Sequence, residues 1–323
     1  MADAILSPVK VLAAAVWLAG TIFAQTSGPP ARPGGEVTGG VGFRHVVDNV
    51  ERSFAFYHDV IGLDVISPPQ PEAPLPEIMN LGNTIGAHSR IAGLRVPGSE
   101  ISVVLIDYKN IDREPAQPRF QDPGAGNLIV RVIDLDAAVA RVKKSAAHIL
   151  TAGGEPATVR GNRVLFLQDP DGYVVELSQA NSAAGGVEVT VADLEKTAAF
   201  YRLLGFDPSP PGAWYGDKLL TDTAGTPGAQ FRQSRAFVPG SSASITFIEF
   251  QDIARKPLHT RTQDPGTTIL ELNVRDVDGL VAKLKAGGGT VVSVGGEAVP
   301  FTKARIALVR DPDNLFLQLI DRR

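Results

Sequence analysis

Four stretches of the chain share one order of apolar and polar positions. Each begins with a short apolar run, continues with an Asp or Asn, and then repeats apolar residues every three or four positions. The run is typical of a buried strand and the repeat of an amphipathic helix, with the Asp or Asn at the position of a helix N-cap. The four predicted strands and caps are 42–47 with Asn49, 127–132 with Asp134, 186–191 with Asp193, and 269–274 with Asp276.

Strand-like runs follow each predicted helix and are separated by turn residues. The tetrapeptide 169–172 (Asp-Pro-Asp-Gly) places Pro and Gly as a tight turn requires, and 311–314 (Asp-Pro-Asp-Asn) is its counterpart later in the chain. Each segment therefore predicts a βαβββ module. The whole chain predicts an α+β fold of four such modules in two paired units.

The second half of the chain repeats the first. Nine residues of 105–124 recur in the same order and spacing in 247–266, where chance gives about one. The repeat predicts one domain of two modules at 41–180 and a second at 185–321. A polar residue present in both copies is expected to serve the architecture, whereas one present in a single copy marks a position where function has specialised. The nine repeated residues are Ile106, Ile111, Arg113, Pro115, Arg119, Gln121, Asp122, Pro123 and Gly124.

The first residues predict export. Lys10 precedes an apolar run, 11–24, that ends in Ala24 at a small-residue cleavage position. A helix that spans a bilayer needs about 20 residues, so the run predicts a cleaved signal sequence at 1–24, with an uncleaved membrane anchor as the alternative. The Pro- and Gly-rich segment 25–40 predicts a flexible linker. We expect the mature protein in a bacterial periplasm or outside the cell, with no membrane association after cleavage.

Composition narrows the expected partners. The formal net charge is −4 and no run of like charge stands out, which argues against nucleic acid because that partner needs a clustered basic surface. The chain has no cysteine, so disulfides, thiolate metal sites and cysteine nucleophiles are excluded. A small-molecule ligand is the expected partner, and the sequence leaves a monomer and a homodimer open.

Two motifs resemble a known family. The helix pattern at 193–201 (DLEKTAAFY) and the turn and strand at 169–177 (DPDGYVVEL) are similar to those of the vicinal oxygen chelate superfamily, which includes glyoxalase I, bleomycin-resistance proteins and extradiol dioxygenases. The resemblance implies that paired modules curl into a cup. In the metal-dependent members a divalent ion lies in that cup, held by the first residue of each first strand and by a carboxylate in each last strand.

The resemblance carries over position by position. The first-strand positions are Gly42, Asn127, Gly186 and Ile269, and the last-strand positions are Val104, Glu176, Thr246 and Gln318. Only Glu176 matches the family's glutamate, and we expect it to be a metal ligand and a catalytic group. Neither the pairing of modules within each half nor a crossed pairing completes a ligand set. The resemblance therefore implies either a divalent metal (Fe, Mn, Zn or Ni) at a depleted site in the first half or no metal.

Four further residues are candidates for the site. His45 is a candidate metal ligand, but it lies three positions after Gly42, and strand alternation directs it toward the helix unless a bulge changes the register. A hydrogen-bonded packing role is its alternative. Asn127 is a candidate for hydrogen bonding to a substrate. Arg90 and Arg232 recur in both halves, and they either form structural ion pairs or bind a substrate carboxylate.

Three functions remain open at this point. The first is a divalent-metal-dependent lyase, isomerase or dioxygenase-like enzyme in which Glu176 is a ligand or base. The second is a metal-free protein that sequesters a small molecule, as bleomycin-resistance proteins do. The third is a structural or interaction protein without a working cup. Because His45, Asn127 and Glu176 occur in one copy only, a working site is expected in the first half.

Overall fold

The computed structural model describes residues 36–159 and 161–322. The predicted signal sequence, 1–24, and all but the last residues of the predicted linker, 25–40, lie outside the described residues. Among the described residues, no helix has the length and apolar character that crossing a membrane requires.

The chain builds four modules in sequence order, each beginning with a strand and a helix. Module 1 contains β1 (Val37–Val46), α1 (Val50–Ala55), β2 (Asp64–Ser67), α2 (Pro76–Gly82), β3 (His88–Arg95) and β4 (Ser102–Lys109). Module 2 contains β5 (Gly126–Val132), α3 (Leu135–Lys144), β6 (His148–Ile149), β7 (Ala157–Val159), β8 (Asn162–Gln168) and β9 (Val174–Gln179). Module 3 contains β10 (Ala184–Val191), α4 (Leu194–Leu203), α5 (Lys218–Thr223), β11 (Gln230–Phe237) and β12 (Ser244–Gln251). Module 4 contains β13 (Thr268–Val274), α6 (Val277–Ala286), β14 (Thr290–Val291), β15 (Val299–Phe301), β16 (Ala304–Arg310) and β17 (Phe316–Arg322).

The four predicted N-caps are confirmed. The side chains of Asn49, Asp134, Asp193 and Asp276 each accept a hydrogen bond from the backbone N–H three residues later. α1 continues as a π-helical segment, Phe56–Ile61, which ends at Gly62 with a φ of 93°. Glycine suits that position because a left-handed backbone costs it no steric strain.

The modules pair in crossed order. Sheet 1 has the strand order β14-β16-β17-β13-β1-β4-β3-β2, with β15 on β16, and so joins modules 1 and 4. Sheet 2 has the order β11-β12-β10-β5-β9-β8-β6, with β7 on β8, and joins modules 2 and 3. The two halves of the sequence are therefore not two separate sheets, because each sheet takes one module from each half.

Module 3 departs from the predicted βαβββ order. The segment that corresponds to β2, 206–209, forms no strand among the described residues, although the backbone N–H of Ser209 donates to the carbonyl of Arg235. The isolated bridge between Tyr215 and Phe231 repeats the bridge between Ala73 and Ser89 of module 1. Pro208, Pro210 and Pro211 precede this bridge. Proline has no backbone N–H, so a run this rich in proline cannot supply the hydrogen bonds of a regular strand.

The two faces of each sheet carry separate apolar cores. The helix-facing sides of both sheets contribute to one large core that contains Phe43 of β1, Val130 of β5 and Val189 of β10. The opposite face of sheet 2 carries a second cluster, in which Phe231 near one end of the sheet joins Phe166 near the other. Phe120, from the segment that follows β4, links them: its ring lies 5.7 Å from that of Phe166 and 5.4 Å from that of Phe250, which adjoins Phe231. We call this face of sheet 2 cup 2 and its equivalent in sheet 1 cup 1.

Two exchanged straps, 110–125 and 252–267, connect the modules and contain most of the repeated residues. The Asp264 carboxylate accepts the backbone N–H of Glu114 at 2.9 Å, and the Asp122 carboxylate accepts that of Lys256 at 2.8 Å. Each Asp also binds an arginine of its own strap, Arg119 or Arg261. The recurrence of these residues therefore reflects an architectural role.

We expect Asp264→Ala to lower the free energy of unfolding by about 2–4 kcal/mol, because it leaves the backbone N–H groups of Glu114 and Arg261 without their acceptor. The matched control is Asp112→Ala, which removes an ion pair to the same Arg261 from a carboxylate that is 86% exposed and should cost about 0.5 kcal/mol or less. Urea unfolding curves measure both. Equal losses for the two variants would show that the straps do not depend on the Asp264 contacts.

Candidate functional site

Cup 2 is lined by polar side chains from three adjacent strands. Leu128 and Val130 of β5 point into the large core, so Asn127 and Arg131 project into cup 2 by strand alternation. The central strand β5 pairs antiparallel with β10 and parallel with β9. In that register Glu188 of β10 lies opposite Asn127, and Glu176 of β9 lies beside Ile129. Two carboxylates therefore flank the central strand on one face.

Three of the four carboxylate oxygens of this pair are buried without a hydrogen-bond partner among the described residues. Glu176 is 1% exposed, and Glu188 and Asn127 are each 3% exposed. Among the described residues, neither oxygen of Glu176 has a hydrogen-bond partner, and the same is true of Oε2 of Glu188 and Nδ2 of Asn127. A buried polar group without a partner costs free energy, and a buried charge costs more. These residues are therefore arranged for something other than the stability of the fold.

The electrostatics of the pair follow from this burial. Burial raises the pKa of Glu176 to about 8, against the opposing effect of the nearby positive charge of Arg131. Burial also raises the pKa of Glu188 well above its usual range, and the neighbouring Glu176 raises it further. The pair therefore retains protons near neutral pH. A cation that entered the cup would compete with those protons.

Cup 1 differs in that its charged groups neutralise one another. Arg44 is the counterpart of Glu188, and its Nε donates to Glu271 at 2.7 Å. Gln318 is the counterpart of Glu176 and donates its amide N–H to Glu271 at 3.3 Å. A cleft of about 250 Å³, including space that opens to solvent, lies beside these groups and is lined by Tyr108 and Leu308. Cup 1 thus lacks the pair of unpartnered carboxylates found in cup 2.

The structure places His45 on the helix-facing side of β1, between the two sheets, where it is fully buried. Its Nε2 lies 2.8 Å from Oδ2 of Asp169, and the Tyr57 hydroxyl donates to the same oxygen at 2.9 Å. The other Asp169 oxygen accepts the backbone N–H groups of Asp171 and Tyr173. The structure therefore does not bring together His45 and Glu176, the two candidate metal ligands.

His45, Asp169 and Asp171 form a group whose ligand atoms lie within 4.8 Å of one another, a spacing that suits a metal ion. The oxygens of this group are already in use. Besides the contacts of Asp169, the Asp171 carboxylate accepts the Ser53 hydroxyl at 2.9 Å and an N–H of Arg52 at 3.1 Å. Because these contacts satisfy the carboxylates, we assign the group to a hydrogen-bond network that ties module 2 to module 1.

The second half repeats this network without the histidine. Val189 is the counterpart of His45, and the Tyr201 hydroxyl donates to Asp311 over a longer distance of 3.4 Å. Burial raises the pKa of Asp311 to about 8. Burial also acts to raise the pKa of Asp169, but the charge and hydrogen bond of His45 outweigh it, and the net pKa is lowered. The same turn therefore holds a charged Asp in one half and a protonated Asp in the other.

Arg90 and Arg232 lie on the helix-facing sides of their sheets, away from both cups. Arg90 pairs with Glu51 of α1 and donates to the carbonyl of Gln70 at 3.2 Å. Arg232 lies 2.8 Å from both Glu195 and Glu249. Of the predicted site residues, the structure therefore brings together only Asn127 and Glu176.

Comparison with known proteins identifies the superfamily that has this architecture. The sequence model of the Glyoxalase/Bleomycin resistance protein/Dioxygenase superfamily matches residues 42–177 and again 184–319. The chain belongs to this superfamily. No curated protein matches the chain.

Solved structures of this superfamily share the fold. Glyoxalase I from Zea mays aligns with a TM-score of 0.58 at 17% identity and covers 87% of this chain and 91% of its own. A putative dioxygenase from Bacillus subtilis aligns with a TM-score of 0.54 at 12% identity, with coverage of 89% and 86%. At these identities the likeness establishes the fold and leaves the reaction open.

Within the superfamily fold, cup 2 contains two residues that the sequence analysis missed. Glu188 lies two positions after Gly186, which occupies a ligand position of the family pattern, and Arg131 lies four positions after Asn127. Strand alternation places both residues on the same face as Gly186 and Asn127, and this alternation could have identified them from the sequence. The crossed pairing, which places Glu188 opposite Asn127, was left open by the sequence.

Proposed function

We propose that this protein is a divalent-metal-dependent enzyme of the lyase or isomerase type and that cup 2 is its working site. The observation that carries the proposal is the pair Glu176 and Glu188, buried on either side of β5 with three carboxylate oxygens that have no hydrogen-bond partner among the described residues. A cation is one of the few partners that offsets the cost of such a pair.

The donor atoms of cup 2 suit a hard divalent cation. Glu176, Glu188 and the amide oxygen of Asn127 offer oxygen ligands, which favour ions such as Mn²⁺ or Mg²⁺ over thiolate-preferring metals. The site differs from the pattern that the resemblance implies, since Gly186 has no side chain to offer and Glu188 supplies the carboxylate instead. A bound divalent ion would supply Lewis acidity that polarises a substrate oxygen.

The carboxylates themselves suit proton transfer. A general acid or base works best when its pKa lies near the working pH, and burial brings the pKa of Glu176 to about 8. Two coupled carboxyl groups also divide the roles, since one holds a proton while the other accepts one. The surrounding apolar cluster, which includes Phe166 beside Glu176, limits access of water to these groups.

A second candidate is a metal-free protein that binds a small molecule in cup 2. The observation that favours it is the guanidinium of Arg131, whose charge acts on both carboxylates and partly replaces a metal cation. Metal titration separates the two candidates.

We expect the chelator-treated protein to bind one Mn²⁺ ion per chain. Between pH 5 and pH 8 its affinity should rise by up to about tenfold per pH unit for each proton that the ion displaces, and so by up to about 100-fold per pH unit where both carboxyl groups lose a proton. In the metal-free protein, stability falls over the same range. Raised carboxyl pKa values contribute stability below the usual pKa near 4.5, and this contribution is lost as the pH rises toward 8. Isothermal titration at several pH values and thermal unfolding test both points. No binding of Mn²⁺, Fe²⁺, Ni²⁺ or Zn²⁺ at pH 8.5 would favour the metal-free candidate.

A further inference from the structure

We propose that the ligand of cup 2 is a small carboxylic acid in its anionic form, and that Arg131 binds its carboxylate group. The proposal rests on cup 2 being the working site, as proposed above. It adds a substrate class and a specificity-determining residue that the superfamily assignment does not supply.

Arg131 has small neighbours on the two adjacent strands. It lies on the cup face of β5, and its neighbours in the register are Ala184 on β10 and Ser178 on β9, both of which are small. Arg131 is partly exposed, while its Nε atom is buried and has no hydrogen-bond partner among the described residues. An N–H donor that is turned inward without an acceptor is costly unless a bound molecule supplies the acceptor.

The charges around Arg131 do not supply that acceptor. No hydrogen bond joins Arg131 to Glu176 among the described residues, so Arg131 acts on this carboxyl group through its charge. A second guanidinium, that of Arg235, projects from β11 into the same cup and donates to the Ser244 hydroxyl at 2.8 and 3.0 Å. The charge of Arg131 disfavours the charged form of Arg235 beyond the effect of burial. Cup 2 therefore holds two guanidinium groups, and the inward-facing Nε of Arg131 is the donor that a bound anion would satisfy.

The chemistry of arginine identifies the class of anion. A guanidinium presents parallel N–H donors that match the two oxygens of a carboxylate, and it remains charged at every physiological pH. The counterpart of Arg131 in cup 1 is Asn273, so the arginine belongs to one cup only. A duplicated architecture does not require it, whereas a specialised site does.

The test is the binding of pyruvate and of its neutral amide, pyruvamide, to the chelator-treated protein at pH 6.5, measured by ligand-observed NMR titration. We expect pyruvate to bind at least about tenfold more tightly than pyruvamide. Arg131→Gln should weaken pyruvate binding by about 30-fold and leave pyruvamide unchanged, and Arg131→Lys should lose less. Arg163→Gln is the matched control, since it removes an exposed arginine of the same sheet that pairs with Asp136 outside the cup.

Circular dichroism shows whether each variant is folded. If Arg131→Gln does not fold, Arg131→Lys takes its place in the test. Equal binding of pyruvate and pyruvamide would overturn the proposal, as would competition by inorganic phosphate as strong as that by pyruvate. Mn²⁺ binding without carboxylate selectivity would overturn this inference and leave the proposed metal enzyme standing. Selective pyruvate binding without any metal binding would support the inference and remove the metal enzyme.

Discussion

Glu176→Gln is expected to lower the affinity of the protein for Mn²⁺ by more than about 100-fold and to abolish any metal-dependent activity. Loss of groups that only orient a metal ligand typically costs 10- to 100-fold, and here a ligand itself is lost. The substitution keeps the size and shape of the side chain. It removes one of the two buried carboxylates that offset the charge of a cation.

The same substitution should raise the stability of the metal-free protein at pH values above about 4.5, and the gain should grow until about pH 8. Glutamine is neutral at every pH, whereas the buried Glu176, whose pKa is near 8, keeps a proton that the unfolded chain releases above pH 4.5. Since one unit of pKa shift corresponds to about 1.4 kcal/mol, we expect a gain of a few kcal/mol at pH 8.5 and almost none at pH 4. A gain in stability together with a loss of binding is the opposite of what a structural carboxylate would give.

The control for this prediction is Gln318→Leu, which changes the counterpart of Glu176 in cup 1. It should leave Mn²⁺ binding unchanged, because cup 1 already neutralises Glu271 with Arg44. Mn²⁺ titration and thermal unfolding of the three proteins complete the comparison. Wild-type Mn²⁺ affinity in Glu176→Gln, or a large loss of its stability, would refute the assignment of cup 2.

Asp169→Asn should cost about 3–5 kcal/mol of unfolding free energy at pH 7, and Asp311→Asn about 1 kcal/mol or less. Asp169 is ionised and accepts from His45, Tyr57 and two backbone N–H groups, so an amide turns a donor toward buried donors. Asp311 has a pKa near 8 and is already largely protonated at pH 7, so its amide resembles the native group. Each of the two variants is therefore the experimental control for the other.

Urea unfolding at pH 7 and pH 3 measures this difference. A lowered carboxyl pKa contributes stability only above the usual pKa, so the cost of Asp169→Asn should shrink as the pH falls below about 4. His45→Val, which gives the first half the composition of the second, should also be destabilising at pH 7. Equal costs for the two Asp→Asn variants would show that His45 does not distinguish the two networks.

The helices, strands and N-caps could be predicted from the sequence because they depend on residues that are close together in the chain. The caps at Asn49, Asp134, Asp193 and Asp276 each bond within one helical turn, and the apolar spacing of the helices and strands reports which side is buried. The family motif around Glu176 also located one half of the acidic pair. Superfamily membership is confirmed for the same reason, since its motifs are short and contiguous.

The rest depends on contacts between distant parts of the chain. Arg44 and Glu271 are separated by 227 positions, and the sequence around either residue does not predict their ion pair. Glu188 becomes a site residue only when β10 pairs with β5, which the sequence left open. Tyr57, on the π-helical segment, joins His45 through a turn that belongs to another module. The pairing and register of distant strands, rather than local secondary-structure propensity, therefore determine which residues form the site.

The crossed pairing also sets the order in which the two sheets can form during synthesis. Modules 2 and 3 are adjacent in the chain and can close sheet 2 as soon as β12 has been synthesised, whereas β1 must wait for β13 and its neighbours. The long loop that joins β1 to β13 makes this last closure the entropically costly one. The strands of the acidic cup are thus contiguous in the sequence, and the cup can form while β1 is paired with β4 alone.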